Sequence, residues 1–113
     1  MRLGGSLIER TRAHLGGDLD LGTMAASRVA TRLGVSERTM RRHLTKAGTS
    51  YRALVDDSRR ERALMLAHEG IHSVTAIAMR SGFTDVSSFS RAFRRWTGTL
   101  PSDYLAKNGK RAK

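Results

Sequence analysis

A seven-residue pattern occurs in residues 29–35 of this chain and again in residues 77–83. Each copy begins with an apolar residue and an alanine, has an arginine two positions later, and ends with a glycine and a second apolar residue. The small alanine lets two helices cross closely, and glycine can adopt the positive φ that a tight turn after a helix requires. Each copy therefore predicts a helix and a turn that lead into a second helix, which is the helix-turn-helix motif.

The helix that follows each turn keeps the same apolar positions. With one residue inserted at the start of the second copy, Met40 and Leu44 correspond to Phe89 and Phe93. A spacing of four residues places each pair on one helix face, which we expect to point into a core. The opposite faces stay exposed, so both helices are candidate recognition helices.

Capping and periodicity signals predict about seven helices and no strand, so the expected fold class is all-α. Ser6 and Glu9 match a capping box at the first helix, which Gly16 and Gly17 are expected to stop. Thr23 is a suitable N-cap for the helix that carries the first repeat. The other helices are predicted over residues 36–46, 50–68, 73–80 and 85–96, and from residue 101 onward.

The longest predicted helix joins the two helix-turn-helix units. A helix over residues 50–68 spans about 28 Å, close to the roughly 34 Å between successive major-groove faces of B-DNA. Its apolar face is interrupted by Arg59 and Arg62. The predicted organisation is a first helix-turn-helix subdomain in residues 1–48, a linker helix in 49–69, a second subdomain in 70–106 and a disordered basic tail in 107–113.

The charge of the chain indicates a polyanionic partner. The formal net charge is +11, from 21 lysines and arginines against 10 acidic residues. Residues 1–34 contain only five of the basic residues and three of the acidic ones, so the excess lies with the candidate recognition helices, their linker and the tail. Such a field raises the local concentration of phosphate groups and speeds encounter with them.

Several other classes of protein are disfavoured. There is no cysteine, which excludes disulfides and thiolate metal sites and suits a reducing cytoplasm. No apolar run approaches the length of a membrane span, and the N-terminus lacks the apolar core of a signal peptide. A soluble cytoplasmic protein is expected, and no pairing of nucleophile and base or glycine-rich phosphate loop suggests an enzyme or a cofactor.

Residues 68–72 match the His-Glu-x-x-His pattern of zinc proteases. That pattern needs both histidines on one face of a continuous helix, but Gly70 lies between His68 and His72 where the linker helix is expected to end. No third ligand is suggested nearby. We therefore expect no metal site here.

The closing segment carries the more specific marks. Gly82 and Phe83 are followed by an aromatic recognition helix and then by Trp96, Gly98 and the run from Pro101 to Tyr104. With the two helix-turn-helix units around a long linker helix, residues 6–104 resemble the DNA-binding domain of the AraC/XylS family of bacterial transcription regulators. The resemblance implies sequence-specific binding of double-stranded DNA, without catalysis, by two recognition helices in successive major-groove segments.

The resemblance also implies which residues face the groove, namely positions i, i+3 and i+4 of each recognition helix. The expected base-reading residues are Arg38, Arg41, Arg42, Ser87, Ser90 and Arg91. The expected phosphate contacts are Ser36, Thr39, Lys46, Arg94 and Arg95. Arginine can pair bidentately with guanine O6 and N7, whereas serine reaches less far and fits several bases, so the first helix is expected to set most of the specificity.

Family members usually carry an additional N-terminal effector or dimerisation domain, and RNA polymerase is a further partner implied by the resemblance. This segment is expected to be a monomer. Two other functions stay open: a DNA-binding module of a larger repair protein, and a non-specific nucleoid or RNA-binding protein. Arg32 and Arg80, at equivalent places in the repeat, either make a structural bond beside the turn or touch phosphate.

The aromatic residues of the second unit also have two interpretations. Phe83, Phe89, Phe93 and Trp96 could stack on single-stranded bases, but their helical spacing favours a place in the core.

Overall fold

The computed structural model describes residues 6–17 and 25–108. These residues form helices and turns without any strand, which confirms the predicted all-α class. The seven helices are α1 (Leu7–Gly17), α2 (Ala26–Leu33), α3 (Glu37–Lys46), α4 (Tyr51–Glu69), α5 (Val74–Arg80), α6 (Val86–Thr97) and α7 (Pro101–Asn108).

Most helices begin close to the residues at which the sequence predicts their starts. The capping box of α1 is complete, with Ser6 N donating to Glu9 Oε1 and Glu9 N to Ser6 Oγ, each at 3.1 Å. Side chains at the starts of α3, α4, α5 and α6 each accept a hydrogen bond from a backbone N–H three residues later, which satisfies a donor that the helix leaves unpaired. These four capping residues are Ser36, Ser50, Ser73 and Asp85.

The predicted start of α2 is wrong. Its N-cap is Ala25, in an extended conformation and without a side-chain cap, and Thr23 lies outside the described residues. The helix begins at Ala26, which is 8% exposed and belongs to the first core. Apolar packing therefore places this start without a capping side chain.

The predicted tail also needs a correction. Helix α7 continues through Lys107 to Asn108, whereas disorder was expected from residue 107. Tyr104 and Leu105 pack against the second core and hold the last turns of this helix in place. Residues 109–113 lie outside the described residues.

The two repeat turns have the same backbone structure. Gly34 has φ 79° and Gly82 has φ 95°, both in the left-handed region that favours glycine. The N–H of the next residue then donates to a carbonyl five residues earlier, from Val35 to Ala30 at 3.1 Å and from Phe83 to Ala78 at 3.0 Å. Both turns are thus Schellman motifs, and the sequence repeat is a structural repeat.

Replacing Gly34 with alanine is expected to destabilise the chain by about 1–2 kcal/mol, because an L side chain is strained at positive φ. A Cβ at this position would meet no atom within 4 Å, so the loss would come from backbone strain and not from a clash. Gly34→Asn is the matched control, since asparagine tolerates this conformation better. Thermal unfolding should rank the glycine protein first, the asparagine variant second and the alanine variant third. Equal melting temperatures would contradict the turn assignment.

The chain divides into two compact units, one up to Ser58 and one from Arg59 onward. The division lies within α4, so the two parts of this helix belong to different units. Buried apolar residues form the first core: Leu15, Ala26, Val29, Ala30, Leu33, Met40, Leu44, Tyr51 and Leu54. The second core contains Ala63, Leu66, Ala67, Ile77, Ala78, Phe89 and Phe93.

The aromatic residues of the second unit form part of its interior. Phe89 and Phe93 are at most 1% exposed, and their ring centroids lie 5.5 Å apart. Phe83 and Trp96 are partly buried, pack against this core and meet each other edge to face at 6.0 Å. The core interpretation of these residues is therefore confirmed. Arg59, which interrupts the apolar face of α4, lies with its Cζ 5.1 Å from the centroid of the Phe83 ring.

Candidate nucleic-acid interface

Helix α3 separates an apolar face from a cationic one. Met40 and Leu44 are fully buried in the first core, whereas Arg38, Arg41 and Arg42 are exposed. The structure therefore brings the three predicted base-reading arginines of this helix to one solvent-accessible surface. Lys46, predicted to contact phosphate, is exposed in the last turn of the same helix.

The three arginines differ in their surroundings. Arg41 Nε donates to Glu37 Oε2 at 2.8 Å, and its Cζ lies 5.9 Å from the centroid of the Tyr51 ring. No side-chain bond is found for Arg38 or Arg42 within residues 6–17 and 25–108. Burial raises the pKa of the Tyr51 hydroxyl above its usual range, with a smaller opposing effect from the Arg41 charge. Sequence reasoning missed Glu37 and Tyr51, although the four-residue spacing from Glu37 to Arg41 is a signal for an ion pair on a helix.

Ser36 and Thr39 have a structural role at the start of α3. Ser36 Oγ accepts from Thr39 N at 3.0 Å and donates to Thr39 Oγ1 at 2.9 Å. Ser36 is exposed and Thr39 half-buried. Their predicted contact with phosphate stays a prediction, and it would have to coexist with this cap.

Helix α6 also has opposite apolar and polar faces. Phe89, Ala92 and Phe93 are buried, and the predicted DNA-contacting residues lie on the remaining surface. Ser90 is half-buried, and the exposed members are Ser87, Arg91, Arg94 and Arg95.

A chain of polar contacts that sequence reasoning did not identify begins at the N-cap of α6. Asp85 Oδ1 accepts from Ser88 N at 2.7 Å, Ser88 Oγ donates to Asp85 Oδ2 at 3.1 Å, and Arg91 Nη2 donates to Ser88 Oγ at 3.4 Å. The backbone hydrogen bond from Ser88 lowers the pKa of the Asp85 carboxyl, with smaller contributions from the Ser88 hydroxyl and the Arg91 charge. The N-cap of α6 is thus a carboxylate, whereas the N-cap of α3 is the neutral Ser36.

The repeated arginine of the second unit makes a side-chain contact beside its turn. Arg80 Nη1 lies 3.5 Å from His72 Nδ1, and His72 Nε2 lies 2.5 Å from Glu69 Oε1. This is a structural contact beside the second turn. In the first unit, Arg10 Nη2 donates to the carbonyl of Leu33 at 3.0 Å and so binds the end of α2. A phosphate contact of Arg32 stays a prediction.

The histidines of the protease-like pattern lie in different settings. Helix α4 ends at Glu69 and Gly70 has φ 71°, so the expected end of the helix is confirmed. His68 Nε2 lies 3.5 Å from the Tyr104 hydroxyl, whereas His72 contacts Glu69. Within the described part of the chain, no three histidine, cysteine or acidic side chains are grouped as metal ligands. None of its helices is long and apolar enough to cross a membrane.

Comparison with known proteins identifies the family. A family model described as a helix-turn-helix domain matches residues 29–107, which is more than half of the chain. The chain belongs to the AraC-type helix-turn-helix family. The resemblance seen in the sequence is thereby confirmed.

Relatives of this AraC-type domain are named as regulators. It is 47% identical over 75 residues to the ornithine utilization regulator of Pseudomonas aeruginosa, a match that covers 66% of this chain and 22% of the relative. It is 40% identical over 72 residues to the transcriptional regulator VqsM of the same organism, covering 64% of this chain and 22% of the relative. The chain thus spans about a fifth of the length of these curated relatives.

Solved structures share the fold of this AraC-type domain. The transcriptional regulator CdpR of Pseudomonas aeruginosa matches with a TM-score of 0.81 and 39% identity, over 90% of this chain and 32% of that one. A DNA-binding transcriptional dual regulator of Escherichia coli K-12 matches with a TM-score of 0.85 and 25% identity, over 91% of this chain and 98% of that one. The second match extends over nearly the whole of its partner, so the two-unit architecture recurs in a separate chain.

Proposed function

We propose that this AraC-type domain binds double-stranded DNA sequence-specifically, with α3 and α6 in successive major-groove segments, and that the protein containing it regulates transcription. The observation that carries the proposal is that the two helices share the same structural features. Each follows a Schellman turn, buries an apolar face in its own core and exposes arginines on the other face. Helix α4, which lies between them in the chain, has 19 residues.

The two helices are proposed to contribute unequally to base recognition. Helix α3 offers the long forked donors of Arg38, Arg41 and Arg42, each suited to guanine. In α6 the polar face begins with the Asp85 carboxylate and small serines, and Arg91 is the main long side chain for base contact. Because serine reaches less far than arginine and fits several bases, α3 is expected to determine most of the base preference.

Arg42→Ala is expected to weaken binding to the preferred duplex by about 1–3 kcal/mol and to relax selectivity at one base pair, as the loss of a base contact does. Arg95→Ala is expected to weaken binding to all duplexes about equally, as the loss of a phosphate contact does. The measurement is the affinity of each variant for a duplex selected from a random pool and for its single-base variants.

Two results would contradict this proposal. Failure of the random pool to yield a preferred duplex would favour a non-specific nucleoid or RNA-binding protein. A uniform loss of affinity in Arg42→Ala, together with altered base preference in Ser87→Ala, would overturn the dominance of α3. The two-helix mode of binding would survive the second result.

The names of the relatives support a proposal about the partners of the protein that contains this domain. Because they are named as regulators of transcription, RNA polymerase is the proposed further partner, at the DNA in the cytoplasm. No catalytic step is proposed, and the domain is expected to bind as a monomer unless another part of its protein dimerises. The mass in solution of the isolated domain bound to a labelled duplex tests whether it binds as a monomer.

A further inference from the structure

We infer that Glu37 is a positioning residue for base recognition: it holds the Arg41 guanidinium over Tyr51, so that Arg41 reads one base pair in a fixed orientation. The inference rests on the function proposed above. It gives a role to an acidic side chain that lies within the cationic surface of α3.

Arg41 is held from two sides. Its Nε donates to Glu37 Oε2 at 2.8 Å, and its Cζ lies 5.9 Å from the Tyr51 ring centroid. Tyr51 is only 7% exposed and belongs to the first core, so its ring is a fixed platform supplied by another helix. An arginine over an aromatic face is attracted by the ring, and Arg41 is thereby anchored to the core as well as to its own helix.

A purely local role explains only part of this arrangement. A glutamate in the first turn interacts favourably with the helix dipole, and a Glu–Arg pair four residues apart stabilises an isolated helix slightly. Neither effect involves Tyr51. Each would also be offset on a DNA-binding surface, because a carboxylate near phosphates weakens binding to every duplex. A contribution to selectivity among base pairs therefore explains the Glu37 carboxylate better than a contribution to affinity for DNA.

Holding Arg41 has a consequence for recognition. A free arginine loses much rotamer freedom when it binds, whereas a held one has lost part of that freedom already. Glu37 engages Nε, so the two terminal nitrogens of Arg41 are oriented together, and such a pair matches guanine O6 and N7. The Glu37 carboxylate also repels phosphate and so favours base edges as acceptors for Arg41. Arg38 and Arg42 have no comparable partner within the described residues.

The test compares the chain with its Glu37→Gln, Arg41→Ala and doubly substituted variants on the selected duplex, its single-base variants and an unrelated duplex. In Glu37→Gln, discrimination at one base pair should fall roughly three- to tenfold. Affinity for the unrelated duplex should rise about two- to fourfold, because a negative charge is removed. Arg41→Ala should lose discrimination at the same base pair, and adding Glu37→Gln to it should cause no further loss there.

Glu61→Gln is the matched control, since it removes the same charge from an exposed position on α4. It should leave discrimination at every base pair unchanged. Thermal unfolding of each variant separates positioning from helix stabilisation. If Glu37→Gln lowers the melting temperature and weakens all duplexes alike, Glu37 acts only on the helix and the inference is wrong.

The experiment also separates this inference from the proposed function. If the unsubstituted chain discriminates among duplexes while Glu37→Gln gives the same pattern of affinities, only the role of Glu37 is refuted. If the unsubstituted chain shows no preference for any duplex, the proposed function fails first.

Discussion

Raising monovalent salt from about 50 to 200 mM is expected to lower the affinity of this domain for duplex DNA roughly 10²- to 10⁴-fold. The chain has a formal net charge of +11, and α3 and α6 expose several arginines. Neutralising roughly five to eight phosphates releases their counterions and gives a log–log slope of about −4 to −7. Fluorescence anisotropy titrations of a labelled duplex over a series of salt concentrations measure this slope directly.

Single substitutions identify which arginines contribute to the slope. Arg94→Ala should make it less steep by about one, because one phosphate contact is lost. Arg12→Ala is the control, since Arg12 lies on α1, outside both recognition helices. Its Nη1 is 3.6 Å from Asp57 Oδ2. It should leave the slope unchanged. A slope near zero for the unsubstituted chain would exclude a phosphate-dominated interface.

Phe89→Ala is expected to destabilise the second unit by about 3–5 kcal/mol, the usual cost of truncating a buried phenylalanine. Phe89 is 0% exposed, and its ring centroid lies 5.5 Å from those of both Phe83 and Phe93. The free energy of unfolding of so small a unit is only a few kcal/mol, so this loss should unfold it or lower its melting temperature by many degrees. DNA binding should weaken with it, because α6 would lose the core that orients it.

Trp96 provides a local measurement of this effect. It is the only tryptophan of the chain, and its ring centroid lies 6.4 Å from that of Phe93. Its fluorescence during thermal unfolding therefore reports on the second core. Met79→Ala is the control, because Met79 is apolar but 54% exposed and its loss should change the melting temperature little. A melting curve for Phe89→Ala that matches that of the unsubstituted chain would contradict the assignment of Phe89 to the second core.

The predictions that succeeded rest on signals contained within a few residues. Gly34 and Gly82 were identified as turn residues because the repeat ends each helix with them, and both have positive φ. The burial of Met40 and Leu44 followed from their four-residue spacing. The predicted helix starts at Ser36, Ser73 and Asp85 coincide with the N-caps of α3, α5 and α6. Such starts can be found from the sequence because an N-cap bond spans only three residues.

The predictions that failed concern helix ends held by packing. Helix α2 starts after Ala25 without a capping side chain, and α7 extends to Asn108. Buried Ala26 stabilises the start of α2, and partly buried Tyr104 and Leu105 stabilise the last turns of α7. Burial against another element can outweigh a missing cap, since a cap contributes about 1 kcal/mol and an apolar side chain somewhat more.

The sequence by itself determined the all-α class, the two helix-turn-helix units and the arginines exposed on each recognition helix, because helical period, caps and turn glycines act over short distances along the chain. Only the tertiary structure decided which of those arginines contacts an aromatic ring of another helix. The contact of Arg41 with Tyr51 depends on how α3 meets the start of α4, and the contact of Arg59 with Phe83 on how α4 lies against the second turn. Such contacts follow from the directions in which whole helices cross, which no short pattern of residues encodes.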